Sequence, residues 1–519
     1  MKKKKISSQK KKEPTKKVFG LEINKILKTL MLLLFIYLPF LDILRGTPIK
    51  DIEILGIALI ELVNFLVIGA SIILTFLKID KRKFIKLIVY ILLVGIYIIL
   101  HYYHIIDFDT KIFSRASFNF IVESYYIVRV YVLPILALFI LAENKDIFDY
   151  KFYSKVLKIV IAFISFSIII LNITKLSYAS YTATHDPIQY SILDHFFAEN
   201  VNYKLQLSRG WFDSANEISA ILFGLLPLNI LMLLKEDKKI NVVLYIAQVM
   251  AMIILGTRTS AIGALLVSYA VIPIYVVLLL IRQENFNKNF ILRFIIPVIL
   301  VTGFFYISPF FYAKTHDNQV QAELQLQGTA TPEAIKMEEE ATTEEEKKEV
   351  ITQNLYSYRI NEAFTNLYPV ENDVEFWSKL CKRELHLNND SRQMKIDILT
   401  RIKEKNNNKV DNLLGMGYTL NFMDVERDYV YQFLLFGIIG VVLFLGMYFI
   451  TVLKNVFEVL KNLKKGCKTN IALAFMAPCV MFAIAYFSGH VFGWVSPMMY
   501  ISFVLGFLNY KVEETINES

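Results

Sequence analysis

Long apolar runs separated by short polar stretches make up most of the chain. The runs hold about 17 to 26 residues, and an α-helix needs roughly 20 to cross the hydrocarbon of a bilayer. We therefore predict an all-α polytopic membrane protein with about twelve spans. The predicted spans are 27–45, 52–77, 84–106, 124–142, 156–174, 216–234, 240–256, 259–281, 290–312, 428–453, 470–487 and 490–509.

Lysine clusters lie in alternate loops between these spans, at 78–86, 235–239 and 454–468. Because cytoplasmic loops of membrane proteins carry an excess of lysine and arginine, we expect both termini to be cytoplasmic. This topology divides the chain into five parts. They are a basic cytoplasmic tail (1–26), spans one to nine (27–312), a large extracytoplasmic loop (313–427), spans ten to twelve (428–509) and a cytoplasmic tail (510–519).

The composition agrees with a membrane protein and excludes several other classes. Of the 519 residues 55% are hydrophobic and only 20% are charged, and the mean hydropathy is +0.46. The net charge of +9 is explained by lysines beside anionic membrane lipid, so no nucleic-acid partner is expected. The three cysteines, Cys381, Cys467 and Cys479, are scattered, and their spacing predicts neither a disulfide framework nor a zinc site.

The long loop is the only polar part large enough to build a site. Its acidic portion, about 317–350, is typical of a solvated helix or a disordered segment, and it has no calcium-binding register. Near its end, Gly415 and Gly417 are spaced by one residue and permit backbone conformations closed to other residues. Without a GxGxxG pattern between a strand and a helix, they do not predict a dinucleotide site.

Arg209, Arg258 and Arg359 are placed by this topology on the outer face, against the usual charge bias. A guanidinium is planar, stays charged in a partly dry site and matches phosphate oxygens. Three arginines at one level could therefore hold a diphosphate. Each one alone could equally be an ion pair or a loop residue whose charged end reaches water.

Polar residues also begin two of the predicted spans. Asn216 opens span six, as an ordinary helix cap or as part of an anion site at the helix N-terminus. Glu426 and Asp428 lie at the start of span ten, beside Tyr429. A partly desolvated carboxylate there could act as general base on a sugar hydroxyl. The alternative is a charge that interacts with the helix dipole, which we favour for Asp428.

Ionisable groups inside the predicted spans are costly unless they are paired or face a cavity. They are Asp42, Glu61, Glu123 and Arg129, with the amide of Asn64 beside them. Glu123 and Arg129 could line the outer site, but pairing inside the bundle is the favoured interpretation.

Five segments, in this order, resemble the O-antigen polymerase and O-antigen ligase family. They are RGWFDSANEISAILFGLLPL, ILGTRTSAIGALLV, YSYRINEAFTNL, LLGMGYTL and ERDYVYQFLLFGIIG. The resemblance covers about 205–265 and 355–445 by motif, and the rest of the chain by its many spans and one large late outer loop.

The resemblance implies a GT-C-like glycosyltransferase of the bacterial cytoplasmic membrane. Its substrate would be an undecaprenyl-diphosphate-linked oligosaccharide, with Arg209, Arg258 and Arg359 on the diphosphate and a base in the long loop. Asn216, Gly415, Gly417 and Tyr429 would shape the site, and no metal or other cofactor is implied. Where ligases of this family carry histidine, eleven residues before Gly-x-x-Gly, this chain has Glu426. This departure favours a polymerase over a ligase.

The function predicted is therefore a polysaccharide polymerase. It would transfer undecaprenyl-diphosphate-linked glycan onto a lipid-linked repeat unit at the outer face, with Glu426 and Asp428 as the catalytic candidates. A chain-length regulator and a flippase are further expected partners. Two alternatives remain: an O-antigen-ligase-type transfer to another acceptor, and a flippase or other transporter of lipid-linked oligosaccharide.

Overall fold

The structure is a computed structural model, and it describes residues 17–18, 21–54, 57–105, 119–182, 185–198, 202–417, 423, 425–462 and 468–518. Some residues named above lie outside the described residues. They are most of the basic first tail, Tyr418 of the LLGMGYTL segment, and Cys467. Two short antiparallel pairs are the strands of this part: β1 (Lys17–Val18) with β2 (Leu21–Glu22), and β3 (Glu53–Ile54) with β4 (Ile57–Ala58).

Helices make up most of the described residues up to Tyr306. They are α1 (Ile23–Arg45), α2 (Leu59–Phe76), α3 (Lys81–Ile105), α4 (Phe120–Ile127), α5 (Leu133–Glu143), α6 (Tyr150–Ile173), α7 (Asp194–Phe197), α8 (Ala215–Lys235), α9 (Lys239–Leu255), α10 (Arg258–Leu280) and α11 (Lys288–Tyr306). A π-helical turn, Val128–Val132, joins α4 to α5, and 3-10 turns lie at Pro48–Asp51 and Tyr203–Leu205.

The long loop is helical as well, and three helices follow it. The loop contains α12 (Pro309–Gln327), α13 (Pro332–Glu340), α14 (Glu344–Gln353), α15 (Glu362–Leu367), the 3-10 turn Val370–Asn372, α16 (Val374–Cys381), α17 (Leu385–Asn388), α18 (Ser391–Asn406) and α19 (Asp411–Leu414). The C-terminal helices are α20 (Asp428–Lys461), α21 (Thr469–Phe487) and α22 (Val495–Glu518).

The predicted all-α polytopic membrane fold is confirmed. Among the described residues, 10 helical segments are long and apolar enough to cross a membrane. They are α1, α2, α3, the continuous span Phe120–Glu143, α6, α8, α10, α11, α20 and α21. The other two of the twelve predicted spans coincide with α9, an apolar helix of 17 residues, and with α22. A GT-C-like arrangement stays a prediction.

Three helix boundaries differ from the hydropathy pattern because local hydrogen bonds set them. Span two was predicted from residue 52, but a 3-10 turn and a strand pair precede α2. Span nine was predicted to 312, but α11 ends at Tyr306, and the Ser308 side chain caps α12 by accepting from the Phe311 N–H. The last helix begins at Val495 and continues to Glu518, within the predicted tail 510–519.

Helix α8 lies at the centre of the bundle, where nearly all of its residues are buried. It packs against α6, α9, α10, α21 and α22. Buried amides join it to α9, since the Asn229 amide donates to Gln248 Oε1 at 2.7 Å and the Gln248 amide donates to Leu222 O at 2.7 Å. The N-terminus of this central helix is consequently held in place from several sides.

The loops predicted to be cytoplasmic meet at one end of the bundle, where ion pairs join them. Lys78 lies 2.6 Å from Asp146, Lys83 lies 2.6 Å from Glu143, Lys158 lies 2.6 Å from Glu236, and Lys145 lies 2.7 Å from Glu513. These ion pairs, with that of Lys235 and Glu514, bring the lysine clusters at 78–86 and 235–239 to the same end of the bundle. That this end faces the cytoplasm stays a prediction.

Apolar side chains of the long loop are buried around Trp377 and belong to the same hydrophobic core as those of the bundle. Trp377 is fully buried, and the stretch around it (WSKLCKREL) forms α16 and the turn after it. The Tyr358 hydroxyl donates to Ala334 O at 2.8 Å, which joins the core to α13 in the acidic portion. The acidic portion is therefore helical, as one of its two interpretations expected.

Helix α20 is broken at Gly437, whose φ of 61° and ψ of -174° are not helical. The break leaves nearby carbonyl groups without helical hydrogen-bond donors, and the turn that contains Gly415 and Gly417 supplies donors to them. The N–H groups of Met416 and Gly417 donate to Leu434 O (2.9 Å) and Leu435 O (3.0 Å). Gly415 has φ +85°, and a Cβ there would lie 2.1 Å from Leu435 O. The turn that contains Gly415 and Gly417 therefore packs against the break in α20 and forms hydrogen bonds with it.

We expect Gly415→Ala to destabilise the protein by roughly 2 kcal/mol or more, because the new Cβ cannot fit against the α20 backbone. The measurement is the apparent midpoint of thermal unfolding in nanodiscs. Gly328→Ala is the matched control, since Gly328 also has positive φ but no atom lies within 4 Å of its Cβ position. Equal losses in the two variants would contradict the docking role.

Candidate functional site

A polar cavity of about 1230 Å³ lies where the long loop covers one end of the helical bundle. Its walls come from four parts of the chain: the segment after α6, the starts of α8 and α10, helices α12 and α18 of the loop, and the turns around Glu426 and His490. Its charged residues are Arg209, Asp213, Arg258, Lys314, Asp390, Arg392, Glu426 and Arg427.

The first wall is built by the segment between α6 and α8. The Arg209 N–H donates to Tyr178 O at 3.0 Å, and the Arg209 side chain donates to Thr182 O at 3.1 Å. Phe212 is fully buried and anchors the motif in the bundle. Burial lowers the pKa of the Arg209 guanidinium, and the nearby carboxylate of Asp213 opposes that shift. An arginine remains charged in such a site.

The second wall is the tight turn between α9 and α10. Gly256 ends α9 with φ 79°, and Thr257 begins α10 by accepting from the Ser260 N–H. The Ser208 N–H donates to Ile254 O at 3.0 Å, which fixes the first wall against this turn. Arg258 is exposed to the cavity, and its Nη2 donates to Asn318 Oδ1 of α12 at 3.2 Å. Among the described residues it forms no ion pair.

The long loop supplies the third wall through α12 and α18. Lys314 lies over the ring of Tyr181, 4.4 Å from its centroid, and 3.0 Å from Asp317. Arg427, just before α20, donates to Gln393 Oε1 at 2.9 Å and lies 3.6 Å from Asp390. These contacts hold the loop over the bundle while its cations line the cavity.

Three helix N-termini reach the same cavity. Ser214 caps α8, Thr257 caps α10 and Asp390 caps α18, and residues of the first turn of each helix line the cavity. The N-terminus of a helix carries about half a positive charge and unpaired N–H groups, so it attracts anions. The cavity is electropositive from its backbone as well as from its side chains.

Glu426 lies between two basic side chains. Its Oε2 is 2.6 Å from Arg392 Nε, and its Oε1 is 3.9 Å from His490 Nε2. Burial alone would raise the pKa of Glu426, but His490 and Arg392 outweigh burial and lower the pKa to about 2. The carboxylate is thus ionised throughout the physiological range.

The orientation of His490 follows from its other nitrogen. Trp494 Nε1 lies 3.0 Å from His490 Nδ1. Because an indole N–H can only donate, Nδ1 must accept, and the ring proton belongs on Nε2, toward Glu426. Gly489 allows this turn to approach, since a Cβ there would lie 2.6 Å from the Glu426 backbone.

A buried ion cluster lies in the bundle next to the start of α8. Arg45 bridges Glu61 at 2.9 Å and Glu217 at 3.1 Å, and Asn64 donates to the other oxygen of Glu61 at 3.0 Å. Asp42 accepts from the Asp213 N–H at 2.9 Å. These contacts join α1 and α2 to the residues on either side of the α8 N-terminus.

The other intramembrane charges are paired in the bundle, as the favoured interpretation expected. Arg129 lies 3.7 Å from Glu61, and Glu123 lies 3.6 Å from His101. Neither Arg129 nor Glu123 lines the cavity.

The structure brings together four of the residues singled out in the sequence: Arg209, Arg258, Asn216 and Glu426 all line the cavity. It does not bring Arg359 there; that guanidinium lies over the ring of Tyr356, 5.1 Å from its centroid. Gly415 and Gly417 dock on α20 as described above. Tyr429 packs on Phe492 and donates to Phe482 O at 3.2 Å.

Asp428 is buried and does not line the cavity. Its carboxylate accepts the N–H groups of His490, Val491 and Phe492 at 2.7 to 2.9 Å. It therefore holds the turn that carries His490, and it also lies in the first turn of α20, where the sequence favoured a charge that interacts with the helix dipole. The catalytic alternative for Asp428 has no support in this geometry.

Several cavity residues were missed in the sequence, among them Lys314, His386 and Arg392. Lys314 and Arg392 each had a usable signal. Lys314 follows an apolar span on the side predicted to be outside, and Arg392 follows an Asn-Asp-Ser helix start. Among the described residues, no cluster of three histidine, cysteine, aspartate or glutamate side chains is arranged to hold a metal ion.

The family model for "O-antigen ligase like membrane protein" matches residues 24–515, nearly the whole chain. The chain belongs to this family. The predicted resemblance is confirmed, and with it a multi-pass membrane protein whose family implies glycan transfer from a lipid-linked substrate. No curated protein matches the chain.

We expect the Glu426 ion pair to stabilise this O-antigen-ligase-like protein in a pH-dependent way. Because the folded-state pKa of about 2 lies below the ordinary 4.5, the stabilisation is complete above about pH 4.5 and is lost as pH falls toward 2. Glu426→Gln should lower the unfolding midpoint at neutral pH, and the difference from wild type should shrink below about pH 4.5.

Glu323→Gln is the control, because Glu323 is exposed in the middle of α12. It should leave the midpoint almost unchanged at every pH. A Glu426→Gln effect that is the same at neutral and acidic pH would show that the ion pair does not account for it.

Proposed function

We propose that the cavity binds the diphosphate of a polyprenyl-diphosphate-linked glycan and that the protein transfers this glycan to an acceptor hydroxyl. The observation that carries the proposal is the charge of the cavity lining. Five cations (Arg209, Arg258, Lys314, Arg392, Arg427) face three carboxylates (Asp213, Asp390, Glu426), which leaves two positive charges. A diphosphate diester carries two negative charges, so the donor matches the excess.

The helix N-termini of α8, α10 and α18 support the same proposal. Backbone N–H groups that are already oriented can stabilise negative charge as it develops on the leaving diphosphate, without reorganisation during the reaction. Arg258 is the best placed cation, because it is exposed in the cavity and has only the neutral Asn318 as a described partner. Its planar fork can hold two phosphate oxygens at once.

In the proposed reaction, the acceptor hydroxyl oxygen attacks the anomeric carbon of the donor sugar. The bond from that carbon to the diphosphate oxygen breaks, and polyprenyl diphosphate leaves with the electron pair. The hydroxyl proton passes to Glu426. A carboxylate with a pKa of about 2 is a weak base, but the hydroxyl proton becomes strongly acidic once the new C–O bond forms. Proton transfer late in the reaction is thus within its reach.

The finer proposal is a polysaccharide polymerase, whose acceptor is another lipid-linked repeat unit at the outer membrane face. It is supported by Glu426, which stands where ligases of the family carry histidine. The family description favours a ligase as the second candidate. Both use the same cavity chemistry, and product analysis separates them: a polymerase gives a ladder of lengths, and a ligase gives a single transfer.

A lipid-linked oligosaccharide flippase is the alternative from another class. Loss of a flippase leaves single repeats on the inner leaflet, whereas loss of a polymerase leaves them on the outer leaflet. A chain-length regulator and a flippase remain proposed partners.

The first test concerns the diphosphate. Arg258→Ala should lower transfer by roughly a hundredfold or more, because the charge on the departing diphosphate loses a preorganised donor. Arg359→Ala is the matched control, since Arg359 lies outside the cavity, and it should keep a single transfer within about twofold of wild type. Both are measured as single-turnover transfer from a purified polyprenyl-diphosphate-linked donor.

An Arg359→Ala protein as inactive as Arg258→Ala would contradict the placement of the diphosphate in this cavity.

The second test concerns the base. Glu426→Gln should lower the single-turnover rate by roughly 10²-fold or more at all pH values, because the amide cannot accept the proton. With wild-type protein, the rate should not fall from about pH 7 to about pH 5, since Glu426 stays ionised there. A wild-type profile that declines with a midpoint near pH 6 would assign the base to a histidine.

A further inference from the structure

A second cleft, of about 680 Å³, lies on the long loop and is formed by residues other than those of the polar cavity. It is built from the end of α14, the turn after it, α15 and the 3-10 turn. The lining residues that carry the argument are Tyr356, Asn361, Glu362, Asn366 and Glu371. This volume falls in the range of small-molecule sites, roughly 300 to 1,000 Å³.

Tyr356 is the most distinctive residue of the cleft. The residue is 80% exposed, although an aromatic side chain usually gains its stability by burial. The Arg359 guanidinium lies 5.1 Å from the ring centroid, and Arg359 itself does not line the cleft. A cation beside an aromatic ring favours the ring orientation in which the two are in contact, by about 0.5 to 1 kcal/mol at an exposed site. Tyr356 therefore offers a supported flat apolar surface to whatever occupies the cleft.

Polar side chains surround this ring. Asn361, Glu362, Asn366 and Glu371 are all exposed at the cleft. Amides and carboxylates are planar groups with two adjacent polar atoms, a geometry that suits pairs of neighbouring hydroxyls. The described lining contains no lysine or arginine and has two carboxylates. The cleft is consequently unsuited to a diphosphate and suited to a neutral, hydroxyl-rich ligand.

The frame of the cleft is rigid. Asn361 uses its Oδ1 to cap α15 by accepting from the Ala363 N–H at 2.9 Å, which leaves its amide N–H₂ to donate. Behind the cleft the buried Tyr368 donates to Asp373 at 3.1 Å, and Asp373 is held by Arg401 at 2.7 Å. A site that is already formed loses less entropy when it binds a ligand.

The turn that carries Tyr356 is also fixed. Arg359 adopts φ 57°, which a residue with a Cβ rarely does. The Arg359 N–H donates to Tyr356 O at 3.0 Å, and the Ile360 N–H donates to Leu355 O at 3.0 Å. Strained backbone of this kind persists where the surrounding structure determines it, often at binding sites.

We propose that this cleft is a second saccharide site, in which the apolar C–H face of a sugar ring stacks on Tyr356 and its hydroxyls bind the surrounding amides and carboxylates. It is separate from the diphosphate cavity and holds a part of the glycan away from the reacting end. The identity of that saccharide, a repeat unit of the transferred glycan, rests on the proposed function.

The test uses the full-length protein in nanodiscs. The probe is the oligosaccharide repeat released by mild acid from the surface polysaccharide of the source bacterium, which carries no diphosphate. Titration followed by saturation-transfer NMR should show binding to wild type and about tenfold weaker binding to Tyr356→Ala. Tyr356→Phe should bind within about twofold of wild type, because stacking needs the ring and not the hydroxyl.

Two controls separate this site from the cavity. Met337→Ala removes another exposed side chain of the same loop and should bind as wild type does. Arg258→Ala should lower transfer by roughly a hundredfold yet bind the probe normally, so a loss of transfer in the cavity can be told apart from a loss of binding in the cleft. In the transfer assay, Tyr356→Ala should keep the first transfer and give shorter products.

Wild-type affinity in Tyr356→Ala, or a loss of probe binding in Arg258→Ala as large as that in Tyr356→Ala, would overturn the proposal.

Discussion

An excess of positive charge at one end of the bundle is the constraint on which the rest of the site depends. Five cationic side chains and the N-termini of α8, α10 and α18 surround one cavity that has only three carboxylates. Like charges brought this close repel one another unless an anion joins them or the scaffold holds them. The structure supplies the scaffold, and we propose that the donor diphosphate supplies the anion.

The scaffold consists of several ordinary contacts that together hold the walls of the cavity in place. The Arg45 cluster ties α1 and α2 to the start of α8, and the bond from Ser208 to Ile254 ties the Arg209 wall to the α10 turn. On the other side, the glycine turn docked at Gly437 connects the loop to α20. The cavity is thus covered by a loop that hydrogen bonds attach to the bundle near the C-terminal end of the loop.

Much of the fold and part of the site could be predicted from the sequence. Apolar runs located the helices, because a membrane span leaves a strong one-dimensional signal. The motifs at Arg209, Asn216, Arg258 and Glu426 were found because local patterns (a helix start, a tight turn, a charge against the usual bias) mark them. Arg359 fitted the same pattern, but its position depends on the packing of α13 to α16 around Trp377, which no local pattern reveals.

Boundaries and roles failed where tertiary contacts decide them. Hydropathy alone could not detect the cap at Ser308 or the break at Gly437. Nor could it show that the Asp428 carboxylate binds the turn of His490. Likewise, the residues that form the second cleft look like ordinary polar loop residues in the sequence. The cleft can be recognised only in the folded structure, where Tyr356, Asn361 and Asn366 belong to the same lining.

The most direct test of the central claim is an experimental structure of the full-length protein with a bound polyprenyl diphosphate. The account predicts that phosphate oxygens lie within hydrogen-bonding distance of the Arg258 guanidinium, about 2.7 to 2.9 Å, next to the first turn of α8 or α10. A diphosphate bound at Arg359, or at the opposite end of the bundle, would contradict it.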